Sequence, residues 1–158
     1  MIYCILIILM QSVPLQPISN SRSNLVGVWQ ANSSGMAAGW GDAYRFFKDG
    51  SFRYHPAQAE ESFDRIVSIN GNYILRGDSL VLEVRSSTEL TGGTFERDFR
   101  EDAGLWLLKN TTVKIIPQEK ASRFILIIGS CSTENDHKCL TIDGVPYYKM
   151  RNDPEDYN

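Results

Sequence analysis

The sequence predicts an all-β protein, an antiparallel up-and-down β-barrel of about eight strands. Three observations carry that expectation. After residue 24, helical periodicity is scarce, and short alternating or apolar segments recur between Gly, Asp and Asn. Seven Phe, seven Tyr, three Trp and 12 Gly favour sheet and turn chemistry over a helical bundle. Finally, two segments read as hairpins whose turns set their register.

The first is Tyr44-Arg45-Phe46-Phe47-Lys48-Asp49-Gly50-Ser51-Phe52-Arg53-Tyr54. A two-residue Asp49-Gly50 turn would mix aromatics and charges on both faces. A three-residue Lys48-Asp49-Gly50 loop, with Gly50 at positive φ in a G1 bulge, pairs Phe46 with Phe52 and Tyr44 with Tyr54. It gathers four aromatics on one face and Arg45, Ser51 and Arg53 on the other, so burial selects it. The second hairpin runs from Asn72 to Arg76, turns at Gly77-Asp78 and continues from Ser79 to Val84. Gly at the first turn position suits type II′ and sets Leu75 opposite Leu80 and Tyr73 opposite Leu82.

Further strands are expected at Leu25 to Gln30, Ile66 to Ser68, Thr94 to Phe99, Leu105 to Lys109, Val113 to Ile116, Phe124 to Ile128, Leu140 to Ile142 and Val145 to Met150. Residues 55–64 and 117–122 read as loops or a short helical turn. The chain has room for one domain, at 158 residues. A net charge of −3 without a Lys/Arg cluster argues against nucleic acid as a partner.

Residues 2–10 form a nearly pure apolar run, too short to span a bilayer, followed by small and polar residues from Pro17 to Ser21. They read as the core and cleavage region of a signal peptide, although the positively charged segment that normally precedes one is missing. The competing reading is an apolar first strand or buried arm. The expected division is an export segment over 1–22, one β domain over 23–151 and a disordered acidic tail over 152–158. No membrane span is expected in the mature chain, and its location would be secreted, periplasmic or in the cell envelope.

Leu25-Val26-Gly27-Val28-Trp29 resembles the Gly-x-Trp first strand of lipocalins and of shorter bacterial lipocalin-like proteins. The hairpin Tyr44 to Phe52, the segment Gly71 to Leu82 and the closing Val145-Pro146-Tyr147-Tyr148-Lys149-Met150 follow in an order similar to that group's. There is no Thr-Asp-Tyr motif and no room after Met150 for a C-terminal helix, so the resemblance is to lipocalin-like barrels. It implies a calycin-type fold in which Trp29 plugs one end beneath Lys149 or Arg151.

The candidate chemistry is sparse. His55 lies near Glu60, Glu61 and Asp64 in sequence, without a fixed ligand spacing. Cys131, His137 and Cys139 admit a metal knuckle or a nucleophile with its base. In an exported chain, Cys131 and Cys139 read more simply as a disulfide around the loop Ser132 to Lys138. No catalytic residues, metal or cofactor are expected.

The aromatic face, Tyr44, Phe46, Phe52, Tyr54 and Tyr73, together with Trp106, is the candidate ligand-binding set. It either walls a pocket or fills the barrel. The function expected is therefore noncatalytic binding of a small apolar or amphipathic molecule outside the cytoplasm. The alternative is a protein-binding barrel, such as a secreted enzyme inhibitor, acting through the loop 132–138.

Overall fold

The computed structural model describes residues 22–31, 41–57, 65–98, 105–131 and 138–155. Eight antiparallel strands follow one helical turn, Arg22–Leu25: β1 (Gly27–Ala31), β2 (Ala43–Phe46), β3 (Ser51–His55), β4 (Ile66–Arg76), β5 (Ser79–Asp98), β6 (Leu105–Ser130), β7 (Cys139–Ile142) and β8 (Val145–Arg151). Each pairs with its neighbour in chain order, and β8 returns to β1, so the sheet closes into a ring.

Both hairpins hold the register that their turns predict. Gly50 has φ +91°, Phe46 faces Phe52 and Tyr44 faces Tyr54. Gly77 has φ +62°, Leu75 faces Leu80 and Tyr73 faces Leu82. Asp49 fixes the first turn by accepting hydrogen bonds from the Ser51 backbone N–H (2.8 Å) and the Ser51 hydroxyl (2.7 Å).

The later strands differ from expectation in length. Ile66 to Ser68 is only the start of an 11-residue β4. Thr94 to Asp98 extends β5, and the three segments expected at Leu105 to Lys109, Val113 to Ile116 and Phe124 to Ile128 run together as the 26-residue β6. Residues 117–122, expected as a loop or helical turn, fall within its bounds, but Gln118 to Ala121 have no partner on β5 and bulge from the ladder. The physical reason is a register shift opposite Val84 and Ser86, which absorbs Gln118 to Ala121 without ending the pairing. Pro117 is tolerated because, among the described residues, no strand pairs with the second edge of β6 there. Beyond Glu89, where β4 stops pairing, β5 and β6 continue as a two-stranded arm.

Inside the ring, Phe46, Phe52, Tyr73, Leu80, Leu82, Val84, Ile128, Leu140 and Ile142 form a buried core. Phe52 crosses β4 at Gly71, where a Cβ would collide with the Glu83 carbonyl and the Phe52 ring. Trp29 is buried, with Nε1 donating to the Leu25 carbonyl at 2.6 Å, and Lys149 Nζ lies 5.3 Å from its ring centroid. Burial, and then Lys138, pulls the Lys149 ammonium below its ordinary pKa. Cys131 and Cys139 stand at disulfide distance, their Cα atoms 5.6 Å apart. They flank the join between β6 and β7, which consists of three residue pairs, Ile128↔Ile142, Gly129↔Thr141 and Ser130↔Leu140.

Candidate functional site

Strand alternation divides the ring into two ends. The β2–β3, β4–β5 and β6–β7 connections share one end; the β1–β2, β3–β4, β5–β6 and β7–β8 connections share the other, from which the arm departs.

The first end is packed with its own aromatics. Phe46 is fully buried, its ring 5.0 Å from that of Tyr73 in an edge-on arrangement, and the Tyr73 hydroxyl donates to the Phe47 carbonyl at 3.0 Å. Phe46 also stacks on Tyr44 at 5.5 Å. Five of the six expected ligand-binding residues, Tyr44, Phe46, Phe52, Tyr54 and Tyr73, thus lie on the inward face. Trp106 is placed apart from them, on the arm opposite Arg97, and its side chain lies outside the described residues.

Towards the arm end the lining becomes a group of tyrosines. Tyr44 meets Tyr54 at 4.7 Å and Tyr147 at 5.4 Å between ring centroids. The Asp42 carboxyl group lies beside the Tyr54 phenol. Asp42 is itself held, since its backbone carbonyl accepts from the Ala31 N–H (2.8 Å) and its Oδ1 from the Ala57 N–H (2.6 Å). Burial, and then the neighbouring Tyr147, Asp42 and Asp143, pushes the Tyr44 phenol well above its ordinary pKa. The Tyr54 phenol is raised by burial and then by the neighbouring Asp42, and Tyr147 is pushed up to about 12 by burial and Asp42. All three remain protonated at neutral pH and keep a proton to donate.

Two further side chains on this inner surface are uncovered. Phe124 stands opposite Leu82 and Val145 opposite Ile142, so each shares the inward face of a buried partner. Yet Phe124 is 51% exposed and Val145 39%, against 4% for Leu82. Among the described residues, the interior is filled at one end and left uncovered at Phe124 and Val145 towards the other. No family model, curated protein or solved structure matches this chain. The reading of this end therefore rests on its geometry.

The other expected chemistry is dispersed. His55 faces outward from the end of β3, near Arg45 and Arg53, with Nδ1 3.1 Å from the Val67 carbonyl; its buried Nε2 has no partner among the described residues. Desolvation, and then Arg45, lowers its pKa. Glu60, Glu61, Asp64 and His137 lie outside the described residues, as does the loop 132–137 of the protein-binding alternative. Among the described residues, no three His, Cys, Asp or Glu side chains converge as metal ligands would.

On the outside of β2–β4, a groove of about 620 Å³ runs between Arg45, Arg53 and Asn70 and the C-terminal segment Asp153–Glu155. Pro154 is buried there, although it falls within the tail expected to be disordered. Three cations, Arg45, Lys48 and Arg53, face three carboxylates, Asp49, Asp153 and Glu155, so the lining selects neither sign of charge.

Asp42, Phe124, Val145 and Tyr147 were not singled out by sequence reasoning. Tyr147 and Val145 had a usable signal, the period-2 alternation of the last strand. Asp42 had none, because its role depends on where the following strand sets Tyr54.

Proposed function

We propose that this protein is a noncatalytic, lipocalin-like barrel that binds a small amphipathic molecule outside the cytoplasm, in the open end lined by Tyr44, Tyr54, Ile69, Phe124, Val145 and Tyr147. The observation that carries the reading is Phe124. Its register places it inward beside buried Leu82, and its exposure leaves that stretch of inner wall uncovered among the described residues. An apolar group laid against Phe124 and Val145 gains about 25 cal/mol for each Å² of surface removed from water. The phenols and the Asp42 carboxylate supply directional partners for a polar head. Such a site favours shape and amphipathicity over a particular compound. Cys131 and Cys139 at disulfide distance fit the oxidising surroundings that this reading requires.

Thermal shift against fatty acids, sterols, hydrophobic pigments and aromatic metabolites tests it, since a ligand of the folded state at 100 Kd adds about 2.7 kcal/mol. A subset of the panel is expected to raise the melting temperature, with Val145→Trp filling the open end and removing the shift. A flat panel would end the small-ligand reading and leave the protein-binding barrel.

A further inference from the structure

We infer that the polar head bound at the arm end of the barrel is cationic, an alkyl- or arylammonium group held by Asp42 and the phenol oxygens of Tyr54 and Tyr147. The inference rests on the amphiphile reading above and adds a sign of charge to it. It starts from the order of side chains along the inner face. Val145 is uncovered among the described residues, and Tyr147 follows it on the same face of β8, two positions on. Tyr147 meets Tyr44, and Tyr44 meets Tyr54, with ring centroids 5.4 and 4.7 Å apart. Asp42 stands at the end of this row, beside Tyr54. An amphiphile whose apolar part lies on Phe124 and Val145 therefore brings its head to the phenols and Asp42.

The charges at that point have one sign. Asp42 raises the phenols of Tyr44, Tyr54 and Tyr147 alike, and Asp143, in the turn between β7 and β8, adds to the effect on Tyr44. Among the described residues, the charged groups that act on the three phenols are these two carboxylates. Lys149 lies two positions beyond Tyr147, but its ammonium is drawn over the Trp29 ring, 5.3 Å from the centroid. Asp42 is also positioned in advance. Its backbone carbonyl accepts from the Ala31 N–H and its Oδ1 from the Ala57 N–H at 2.6 Å. That one bond to the carboxylate leaves further lone pairs on its two oxygens.

Such a site treats three kinds of head differently. An ammonium can donate to Asp42 and to phenol oxygens, which keep lone pairs while they are protonated. A hydroxyl finds the same partners without the attraction between charges. A carboxylate can accept from the phenols but is set beside a like charge in a half-buried place, where water screens it less than at the surface.

Isothermal titration of the full chain at neutral pH with decylammonium, 1-decanol and decanoate, each below its micellar concentration, holds the apolar part constant and varies the head. Decylammonium is expected to bind about tenfold more tightly than decanol, with decanoate the weakest of the three. Asp42→Asn keeps an acceptor for the Ala57 N–H and should bring decylammonium to within about threefold of decanol. Glu155→Gln, which removes a carboxylate from the outer groove, should leave the ranking as it is. Decanoate bound as tightly as decylammonium would overturn the inference in the wild-type protein alone, and so would an ammonium preference that survives Asp42→Asn; either leaves the amphiphile reading standing. If none of the three binds, that reading falls and the inference falls with it.

Discussion

The closed ring and the projecting arm are made of the same material, alternating strands rich in Ile, Val and Phe, yet they treat it oppositely. In the ring, Phe46 and Leu80 are fully buried; along β6, Ile115 and Val113 stand mostly in water. Propensity does not separate them. What does is whether another wall stands opposite, since a strand's inward face is buried only where the sheet has curved back to meet it. β5 and β6 leave β4 behind after Glu89 and lose that wall, while their backbone ladder continues unchanged. Strand pairing and core formation are therefore separable in this molecule.

The largest test of that separation compares two truncations. Phe46→Ala removes a ring packed between Tyr44 and Tyr73 and should cost about 3 to 5 kcal/mol in urea unfolding. Ile115→Ala should change stability by less than about 0.5 kcal/mol, as exposed positions do. Comparable losses at the two sites would mean that the arm carries a core of its own. Next in size is the cysteine pair beside the ring's join. Alkylation of Cys131 and Cys139 after reduction should lower stability by about 2.5 kcal/mol for so short a loop, with the melting curve shifting as one transition.

Gly50→Val tests the hairpin that feeds the packed end. A β-branched residue at φ +91° is strained, and a loss of about 1 to 2 kcal/mol is expected. Stability equal to wild type would discard the three-residue loop. The smallest effect concerns His55. Its folded pKa lies below the unfolded value of about 6.5, so the unfolded chain binds more protons in that region. Stability should be complete above pH 6.5 and decline as pH falls below it. Melting temperatures of wild type and His55→Phe across pH 5 to 8 check the sign, and parallel curves would remove His55 from the account.

Much of the ring was legible in the sequence because its information is local. Lys48-Asp49-Gly50 and Gly77-Asp78 each fix a register within a dozen residues, and alternation then assigns Tyr44, Phe46, Phe52, Tyr54 and Tyr73 to one face. The arm was not legible. Thr94 to Phe99, Val113 to Ile116 and residues 117–122 read as separate strands and a loop, because local pattern records the presence of a partner strand poorly and its extent hardly at all. The candidate site divides in the same way. Tyr44 and Tyr54 follow from one hairpin, whereas the open stretch at Phe124 depends on β6 reaching β7 only near its end, a long-range fact with no signature near residue 124.

That short junction has a kinetic consequence. The β5–β6 junction runs through 18 paired positions, while the β6–β7 junction has the three from Ile128↔Ile142 to Ser130↔Leu140. A closed sheet opens where fewest bonds must break together, so the native-state fluctuation of lowest free energy should unzip at Gly129 and Thr141. Cys131 and Cys139 tie the two strands two residues beyond that point, so the bond they are placed to form sets how often the circle becomes an open sheet. Amide exchange at the junction should thus report thiol oxidation state, while the interior of β4 exchanges at its own, slower rate.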